Sequence, residues 1–222
     1  MRPCLLLSSL IGLVAAAATA ATTAAPDRLV AGAVDELADV VSECRLPLAA
    51  DPAALRGLVD VHVRPRIDLL HAGQIILGRW WRDATPGERR RFSEGLYSSL
   101  ASRYAPALLL LTPSTIEVPE AKTETEDEQT TVRIVVRGVR TAPVPVDLKL
   151  RRLGAEWRVY DARWEDLSFL LQLREAVSEE VRRHGLEAVI RRLESGASAS
   201  TADPAHRDSM AGRCLRQRGD AA

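Results

Sequence analysis

Aromatic residues and cysteines are scarce in this chain. Aromatic side chains make up only 4% of its 222 residues, although apolar residues as a whole make up 46%. A core built from this composition must consist mainly of Leu, Val, Ile and Ala. Basic and acidic residues balance at 30 each. Because there is no excess of positive charge to neutralise phosphates, the composition argues against nucleic acid as a partner.

Long apolar runs are absent after the N-terminus. No later stretch approaches the ~18 continuous apolar residues of a membrane-spanning helix. At the N-terminus, Arg2 precedes an uncharged run that ends in the small-x-small pattern Ala18-Thr19-Ala20. This arrangement predicts a secretory signal peptide over 1–20, followed by a small-residue leader over 21–26. An uncleaved anchor is the alternative.

Export would leave two cysteines, Cys44 and Cys214. An oxidising compartment permits a disulfide between them. Two unpaired thiols are the alternative, and the sequence does not decide between the two states.

Motifs of catalysis are also missing. The chain has no Gly-x-Ser-x-Gly elbow and no phosphate loop ending in Gly-Lys-Ser/Thr. Its four histidines lack metal-ligand spacing. Asp161 and Glu165 fall on one face of a predicted strand, but solvated or salt-bridged carboxylates are the commoner case. We therefore predict no catalytic residue, no metal and no cofactor, and Asp161 is the first residue to test if the protein is an enzyme.

Helical spacing dominates the first half of the mature chain. Apolar residues recur at helical intervals from Asp27 to about Arg45, after Asp51-Pro52, and again from Ile67 to about Trp80. The segment Thr85-Pro86-Gly87-Glu88 combines a cap, a first-turn proline and a capping box, so it predicts the start of a further helix. On that helix, apolar residues follow four apart: Phe92, Leu96, Leu100, Tyr104 and Leu108.

The period changes to that of strands after Pro113. Alternating residues predict a short strand at Ile116 and Val118 and three longer strands, at 132–136, 144–151 and 157–164, in an antiparallel meander. Helices return at 168–184 and 186–194. Helices followed by strands and then helices indicate an α+β domain, which we place at 27–195. The residues 196–222 are poor in core-forming side chains and are predicted to be a disordered tail.

Several motifs resemble those of one family. In chain order, they are Leu77-Gly78-Arg79-Trp80-Trp81-Arg82-Asp83-Ala84-Thr85-Pro86-Gly87-Glu88-Arg89, Tyr104-Ala105-Pro106-Ala107-Leu108, Pro143-Val144-Pro145-Val146-Asp147, Trp157-Arg158-Val159-Tyr160-Asp161 and Glu165-Asp166-Leu167-Ser168. Their types and order resemble the MlaC family, also called the toluene-tolerance family of periplasmic phospholipid-binding proteins. Two positions depart from the family pattern: Asp166 stands where glycine is usual, and Leu173 replaces a frequent aromatic residue.

The resemblance implies a fold and a function. The expected fold is a curved antiparallel sheet of about four strands, with helices packed against it that enclose a deep apolar cavity. The implied function is that of a periplasmic carrier, with bound phospholipid as its cargo. It would shuttle lipid between an outer-membrane lipoprotein–porin complex and an inner-membrane ABC transporter with a lipid-binding ring subunit, which maintains outer-membrane lipid asymmetry. The alternatives are a small pocket-bearing enzyme of isomerase-like fold, a hopanoid-associated lipid-binding module, and a module whose pocket is filled by its own side chains.

Apolar residues on the predicted helices and strands are the candidate lining of this cavity. To hold two acyl chains, the cavity should lie at the upper end of the usual ~300–1,000 Å³ range. The candidates are Ile75, Ile76, Trp80, Phe92, Leu96, Leu100, Tyr104, Leu108, Val132, Ile134, Val136, Val146, Leu148, Leu150, Val159, Phe169, Leu173 and Val177. Gln172 and Arg174 are candidates for contact with the headgroup, with a solvated arginine as the alternative for Arg174.

Overall fold

The computed structural model describes residues 25–119, 128–138, 141–198 and 210–219. The predicted signal peptide, most of the leader, and positions 199–209 and 220–222 of the predicted tail lie outside these residues. The helices are α1 (Pro26–Ala50), α2 (Pro52–His62), α3 (Leu69–Leu77), α4 (Trp80–Asp83), α5 (Pro86–Tyr104), α6 (Phe169–His184), α7 (Leu186–Ser198) and α8 (Met210–Gly219), with 3₁₀ helices at Arg64–Arg66 and Ala105–Leu110. Within the described ranges, no helix has the length and apolar character needed to cross a bilayer.

Side-chain caps fix where several helices begin. The Asp51 carboxylate accepts a hydrogen bond from the Ala54 amide at the start of α2. Thr85 and Glu88 form the predicted capping box of α5, each accepting from the backbone of the other. Such caps satisfy amide groups that the first helical turn leaves without partners. The capping box fixes the residue at which α5 begins.

The predicted helix from Ile67 to Trp80 is divided at Gly78. This residue has a φ of +54°, so α3 ends there and the short α4 follows. A Cβ atom at this position would also lie 2.7 Å from the guanidinium of Arg174. Only glycine combines this backbone conformation with so close an approach.

The strands form a single antiparallel meander in the order β1-β2-β3-β4-β5. The strands are β1 (Ile116–Glu117), β2 (Gln129–Val136), β3 (Val144–Leu153), β4 (Glu156–Trp164) and β5 (Leu167–Ser168). This sheet confirms the α+β prediction. It has five strands where about four were expected, because a two-residue strand is added at the β4 edge.

A bulge in β4 brings the sheet to α3. Lys149 pairs with Asp161 and Leu150 with Val159, which leaves Tyr160 as the extra residue. Bulges of this kind bend a strand and increase its twist. Just before the bulge, the Val159 carbonyl accepts from the Asp68 amide at 2.8 Å, where α3 begins. The sheet and the helical layer are therefore joined by backbone hydrogen bonding at this point.

The turn from β4 to β5 contains one of the departures from the family pattern. Glu165 and Asp166 both have positive φ, at 47° and 65°. A two-residue hairpin turn with positive φ at both positions favours glycine and asparagine, and aspartate is among the few other residues that tolerate it. Asp166 therefore keeps a turn that a glycine would form with less strain.

Buried apolar residues gather into three clusters. The filled cluster joins α3, α5, α6 and α7: Ala72, Ile76, Leu77, Phe92, Leu96, Leu170, Val177, Val181, Val189, Ile190 and Leu193. The sheet cluster packs α1 on the strands: Val30, Val132, Ile134, Leu150 and Trp157. The wall cluster joins α1, α2, α5 and α8: Val40, Val41, Cys44, Leu48, Ala54, Leu55, Leu58, Val59, Tyr97, Ala101, Ala105, Leu111 and Ala211.

The C-terminal segment differs from its prediction. Instead of disorder throughout 196–222, residues 210–219 form α8, and Cys214 forms a disulfide with Cys44 of α1. Ala211 is buried against α1 and its neighbours. The inward face of α8 is short, with Ala211, Cys214 and Leu215 against the wall cluster, so the helix signal in the sequence is weak, and the disulfide adds to this packing. The structure also resolves the open question of the two cysteines, which are paired.

Candidate functional site

An apolar cavity of about 320 Å³ lies between the helices and strand β4. Its walls come from α2, α3, α5, the following 3₁₀ helix, β4 and the start of α6. The lining residues are Val59, Val63, Ile67, Leu69, Ala72, Ile76, Ser93, Leu96, Tyr97, Leu100, Ala101, Tyr104, Ala105, Leu108, Val159, Tyr160, Asp161, Ala162, Phe169 and Leu170.

Helix α5 provides the longest wall because its inward residues follow helical spacing. Leu96, Leu100 and Tyr104 stand four apart, and Tyr97 and Ala101 lie beside them on the same face. Ala101 is small, so this part of the wall leaves space in front of it. The wall continues past the helix end through the 3₁₀ helix Ala105–Leu110.

The cavity reaches the surface near Tyr104. Its side chain lines the cavity, yet the residue is 50% exposed. Its ring meets that of Phe169 edge to face, with centroids 6.3 Å apart. This aromatic pair therefore marks the opening.

The polar group of Tyr97 is directed away from the cavity. Its hydroxyl donates to Asp60 Oδ1 at 2.7 Å, and Asp60 does not line the cavity. Burial, together with the neighbouring Asp60 carboxylate, raises the pKa of the Tyr97 hydroxyl, so the phenol stays protonated. The buried Arg56 guanidinium also donates to Asp60 and lies 5.4 Å from the centre of the Tyr97 ring. Tyr97 thus shows its ring to the cavity and its hydroxyl to a charged network behind it.

The carboxylate of Asp161 is occupied by the start of α6. Asp161 Oδ1 accepts from the Leu170 amide at 3.1 Å and from the Ala162 amide at 2.9 Å. Asp161 Oδ2 accepts from the Ser168 hydroxyl at 2.6 Å. A carboxylate near a helix N-terminus that accepts amide hydrogens is a common structural stabiliser. Through these contacts, Asp161 stabilises the start of α6. Glu165, the other carboxylate of the predicted pair, lies in the exposed turn between β4 and β5.

Part of the predicted lining is brought together by the fold. The residues at the cavity are Ile76, Leu96, Leu100, Tyr104, Leu108, Val159 and Phe169. Ile76, Leu96, Leu100 and Phe169 are also in or against the filled cluster, and the residues that belong to this cluster without lining the cavity are Ile75, Trp80, Phe92, Leu173 and Val177. Those in or against the sheet cluster are Val132, Ile134, Val136, Val146, Leu148 and Leu150. Helix α1 contacts this part of the sheet and uses it as ordinary core, so β4 is the strand that contributes to the cavity lining.

The two predicted headgroup residues lie away from the lining. Gln172 is exposed on α6. The Arg174 guanidinium packs over Gly78 and borders a separate shallow groove with Glu175 and Arg182. The structure therefore does not bring either residue to the apolar cavity.

Sequence reasoning missed the small residues and the α2 wall. Ala101 and Ala105 line the cavity beside the predicted stripe of α5, and Val59 and Val63 line it from α2 and the residue after it. Alanines at i and i+4 next to an apolar stripe are a weak signal of a hollow region, because they leave volume unfilled. The apolar face of α2 was visible in the sequence, but nothing there distinguished a cavity wall from core.

The cavity is smaller than expected for two acyl chains. Since about 150 Å³ is enough for benzene, a volume of about 320 Å³ has room for roughly a dozen carbon atoms. This volume lies at the lower end of the usual range of ligand pockets. In this conformation, the enclosed space matches about one acyl chain, and enclosing both chains of a diacyl lipid would require the walls to move apart.

Comparisons with known proteins agree with one another. The model of the MlaC protein family matches residues 31–195. The intermembrane phospholipid transport system binding protein MlaC of Haemophilus influenzae is 23% identical over 183 residues, covering 81% of this chain and 86% of that protein. Toluene tolerance protein ttg2D of Pseudomonas putida is 26% identical over 161 residues, covering 72% of this chain and 74% of that protein.

A solved structure extends the similarity to three dimensions. The phospholipid-binding protein from Ralstonia solanacearum, determined in complex with a phospholipid, superimposes with a TM-score of 0.67 at 25% identity. The match covers 78% of this chain and 97% of that chain. Nearly the whole of that protein therefore has a counterpart here.

Proposed function

This chain belongs to the MlaC family, and from that premise we propose that it is a lipid carrier whose cavity holds the acyl chains of a phospholipid. The observation that carries the proposal is the cavity itself, which is lined almost throughout by aliphatic and aromatic side chains. Two polar side chains at its border are engaged elsewhere, since Tyr97 donates to Asp60 and Asp161 accepts from the start of α6. The small Ser93 hydroxyl is the lining group that has no hydrogen-bond partner among the described residues. The interior therefore suits hydrocarbon.

The physical value of such a carrier lies in the cost of exposing lipid tails to water. Each exposed CH₂ group costs ~0.8 kcal/mol. For roughly 30 methylenes the sum is about 25 kcal/mol, an upper figure that chain folding reduces. A protein that replaces bilayer contacts with cavity contacts removes most of this barrier. An aliphatic lining adds little selectivity for one chain over another, which suits a general carrier.

The proposed location is the periplasm, and the proposed partners lie in the two membranes around it. The Cys44–Cys214 disulfide supports an oxidising compartment, as does the predicted signal peptide. The Haemophilus relative is named as the binding protein of an intermembrane transport system. By analogy, this chain would exchange lipid with an inner-membrane ABC transporter bearing a lipid-binding ring and with an outer-membrane lipoprotein–porin complex. The chain contains no phosphate-loop motif, so the direction of transport would come from these partners.

We propose that the protein binds its guest without chemical change. The residue that an enzyme of this shape would use first, Asp161, has both carboxylate oxygens engaged in hydrogen bonds. A general base must be free to reach a substrate proton. If the protein were an enzyme, Asp161→Asn would abolish a turnover that the wild-type protein shows on its bound lipid.

The proposed carrier function can be tested with a substitution that fills part of the cavity. Leu100→Trp places a larger ring in the cavity, whereas Ser99→Trp adds the same ring one position earlier on α5, outside the lining. Both proteins would be purified from cells, extracted with organic solvent, and their lipid measured by mass spectrometry. We expect at least a tenfold loss of co-purifying phospholipid in Leu100→Trp, equivalent to about 1.4 kcal/mol of binding, with wild-type content in Ser99→Trp. Equal lipid in the two variants, or a lipid-free wild-type protein, would contradict the proposal.

A further inference from the structure

Helix α8 is attached to the wall of the cavity although it lies outside the family region. The family match ends at residue 195, and α8 spans Met210–Gly219. Its inward residues Ala211, Cys214 and Leu215 follow i, i+3, i+4 spacing and pack in or against the wall cluster. Met210, by contrast, is 64% exposed. The helix therefore has one face committed to the wall.

Part of the wall cluster also lines the cavity. Val59, Tyr97, Ala101 and Ala105 are members of both sets. Leu108, which lines the cavity, packs against the same cluster. A movement of these shared side chains therefore changes the shape of the cavity.

The disulfide meets α1 where the helix is irregular. Cys44 departs from helical geometry with a φ of −104° and a ψ of 16°, and it is completely buried. Arg45, the next residue, donates to the carbonyl of Leu111, just after the 3₁₀ helix that carries Ala105. A continuous path of bonded and packed groups thus joins α8 to the cavity lining. Such a path can couple α8 to the cavity only if the wall has two conformations.

Under the proposed carrier function, the size of the cavity calls for such a second conformation. Its roughly 320 Å³ has room for about one chain, so a diacyl guest requires the wall to move outward. The disulfide ties α8 to α1, and α8 packs on the wall cluster, so the bond adds a covalent restraint to this wall.

We propose that α8, held to α1 by the Cys44–Cys214 disulfide, is a strap on the wall cluster, and that the disulfide limits how fast lipid enters and leaves the cavity. The inference rests on the proposed carrier function and concerns the regulation of the same site. A dithiol opens the strap by thiol–disulfide exchange: two electrons and two protons pass to the protein sulfurs, which become two thiols, while the dithiol becomes a disulfide. Without the bond, α8 keeps only its packing, and the wall moves more readily.

The test measures lipid transfer with the bond present and absent. Purified protein is loaded with a pyrene-labelled phosphatidylglycerol, and transfer to phosphatidylcholine vesicles is followed by fluorescence. Cys214→Ser removes the bond and leaves the buried Cys44 in place. Wild-type protein treated with dithiothreitol removes the bond without any substitution, so the test holds even if the variant folds poorly. Met210→Ser introduces the same side chain at an exposed position of α8 and serves as the matched control.

We expect both routes to raise the rates of loading and release at least about fivefold, the lower range of coupling between sites, with little change in the amount bound at saturation. Met210→Ser should transfer at the wild-type rate, and dithiothreitol should not accelerate Cys214→Ser further. Unchanged transfer rates on both routes would overturn the strap, even if the melting temperature falls, because the bond would then stabilise only the fold. A wild-type protein that takes up no probe would instead overturn the carrier function.

Discussion

Helix α5 borders two regions that are built from similar residues and packed differently. On one side it meets α7 so closely that a Cβ atom at Gly95 would lie 3.0 Å from the Cβ of Leu193. Phe92 is completely buried on this side. On the other side, Leu100 and Ala101 line the cavity. The same helix therefore contributes to a filled region and to a hollow one.

The difference depends on what lies opposite. In the filled region, α7 supplies complementary side chains at short distance, and glycine lets the helix axes approach. Across the cavity, α5 faces β4 and the start of α6, and the side chains between these elements leave a space of about 320 Å³. A hollow region therefore arises where the opposing elements are held apart by their other contacts, such as the backbone bond between Asp68 and Val159.

The largest expected effect comes from truncating a side chain in the filled region. Phe92→Ala should lower the free energy of unfolding by about 3–5 kcal/mol, because it leaves a cavity among close-packed neighbours. Leu108→Ala, in the lining of the hollow region, should cost less than about 2 kcal/mol, because part of that side chain already faces empty space. Urea unfolding of delipidated protein, followed by tryptophan fluorescence, measures both. Equal losses would show that the two regions are packed alike.

The predicted stripe of α5 shows what the sequence could and could not reveal. Phe92, Leu96, Leu100 and Tyr104 stand four apart, so the sequence correctly indicates a long helix with an apolar face. A helix turns once in 3.6 residues, so each step of four advances about 40° around the axis. Phe92 therefore turns toward α6 and α7, whereas Tyr104 turns toward the mouth of the cavity. Periodicity identifies buried positions but not which neighbour, if any, fills the space opposite.

Local signals were the most predictable. The capping box at Thr85 and the alternation of the long strands depend on neighbours in the chain, and the structure confirms both. The bulge at Tyr160, the docking of α1 on the sheet, and the pairing of Cys214 depend on contacts between distant segments. For that reason the sheet residues, including Ile134 and Leu148, were predicted to line the cavity although α1 covers their part of the sheet.

An intermediate effect is expected at the border of the two regions, where α3 crosses α5. A Cβ atom at Gly73 would lie 2.2 Å from Ser93 Oγ and 3.4 Å from the Trp81 ring. Gly73→Ala should therefore destabilise the protein by about 1–3 kcal/mol through overpacking. Gly32→Ala is the matched control: nothing lies within 4 Å of that position in α1, and alanine should stabilise the helix by about 0.5–1 kcal/mol.

Ser93 sharpens this prediction. Its Oγ is buried and has no hydrogen-bond partner within the part of the chain that the structure describes. Ser93→Ala alone should be neutral or stabilise by up to about 1 kcal/mol, since it removes an unsatisfied polar atom. In the double variant Gly73→Ala, Ser93→Ala, part of the stability that Gly73→Ala costs should be recovered, because the closest contact, with Ser93 Oγ, is gone. The recovery should be partial because the Cβ at position 93 still lies 3.3 Å away. Additive effects in thermal melts would show that the two residues do not meet as described.

The smallest expected effect concerns the ion pairs that join α5 to α7. Arg91 donates to Glu194 at 2.8 Å and to Glu187 at 2.9 Å. The hydrogen bonds from Arg91 hold the pKa of the Glu194 carboxyl below its ordinary value of about 4.5. A carboxyl with a lowered pKa in the folded protein stabilises the fold fully above its unfolded pKa, and that contribution is lost as the pH falls through the folded pKa. Because the pair is exposed and screened by water, the effect should be modest.

This pH dependence separates the two regions of α5. Between about pH 5 and pH 3, the melting temperature of Glu194→Gln should fall less steeply than that of the wild-type protein, because the amide does not titrate. At neutral pH, Glu194→Gln should bind the lipid probe like the wild-type protein, since Glu194 belongs to the α5–α7 contact and not to the lining. Parallel melting curves would exclude the ion pair as a support of the filled region. Weakened probe binding would mean that the α5–α7 contact also sets the shape of the cavity, and that the two sides of α5 respond as one unit.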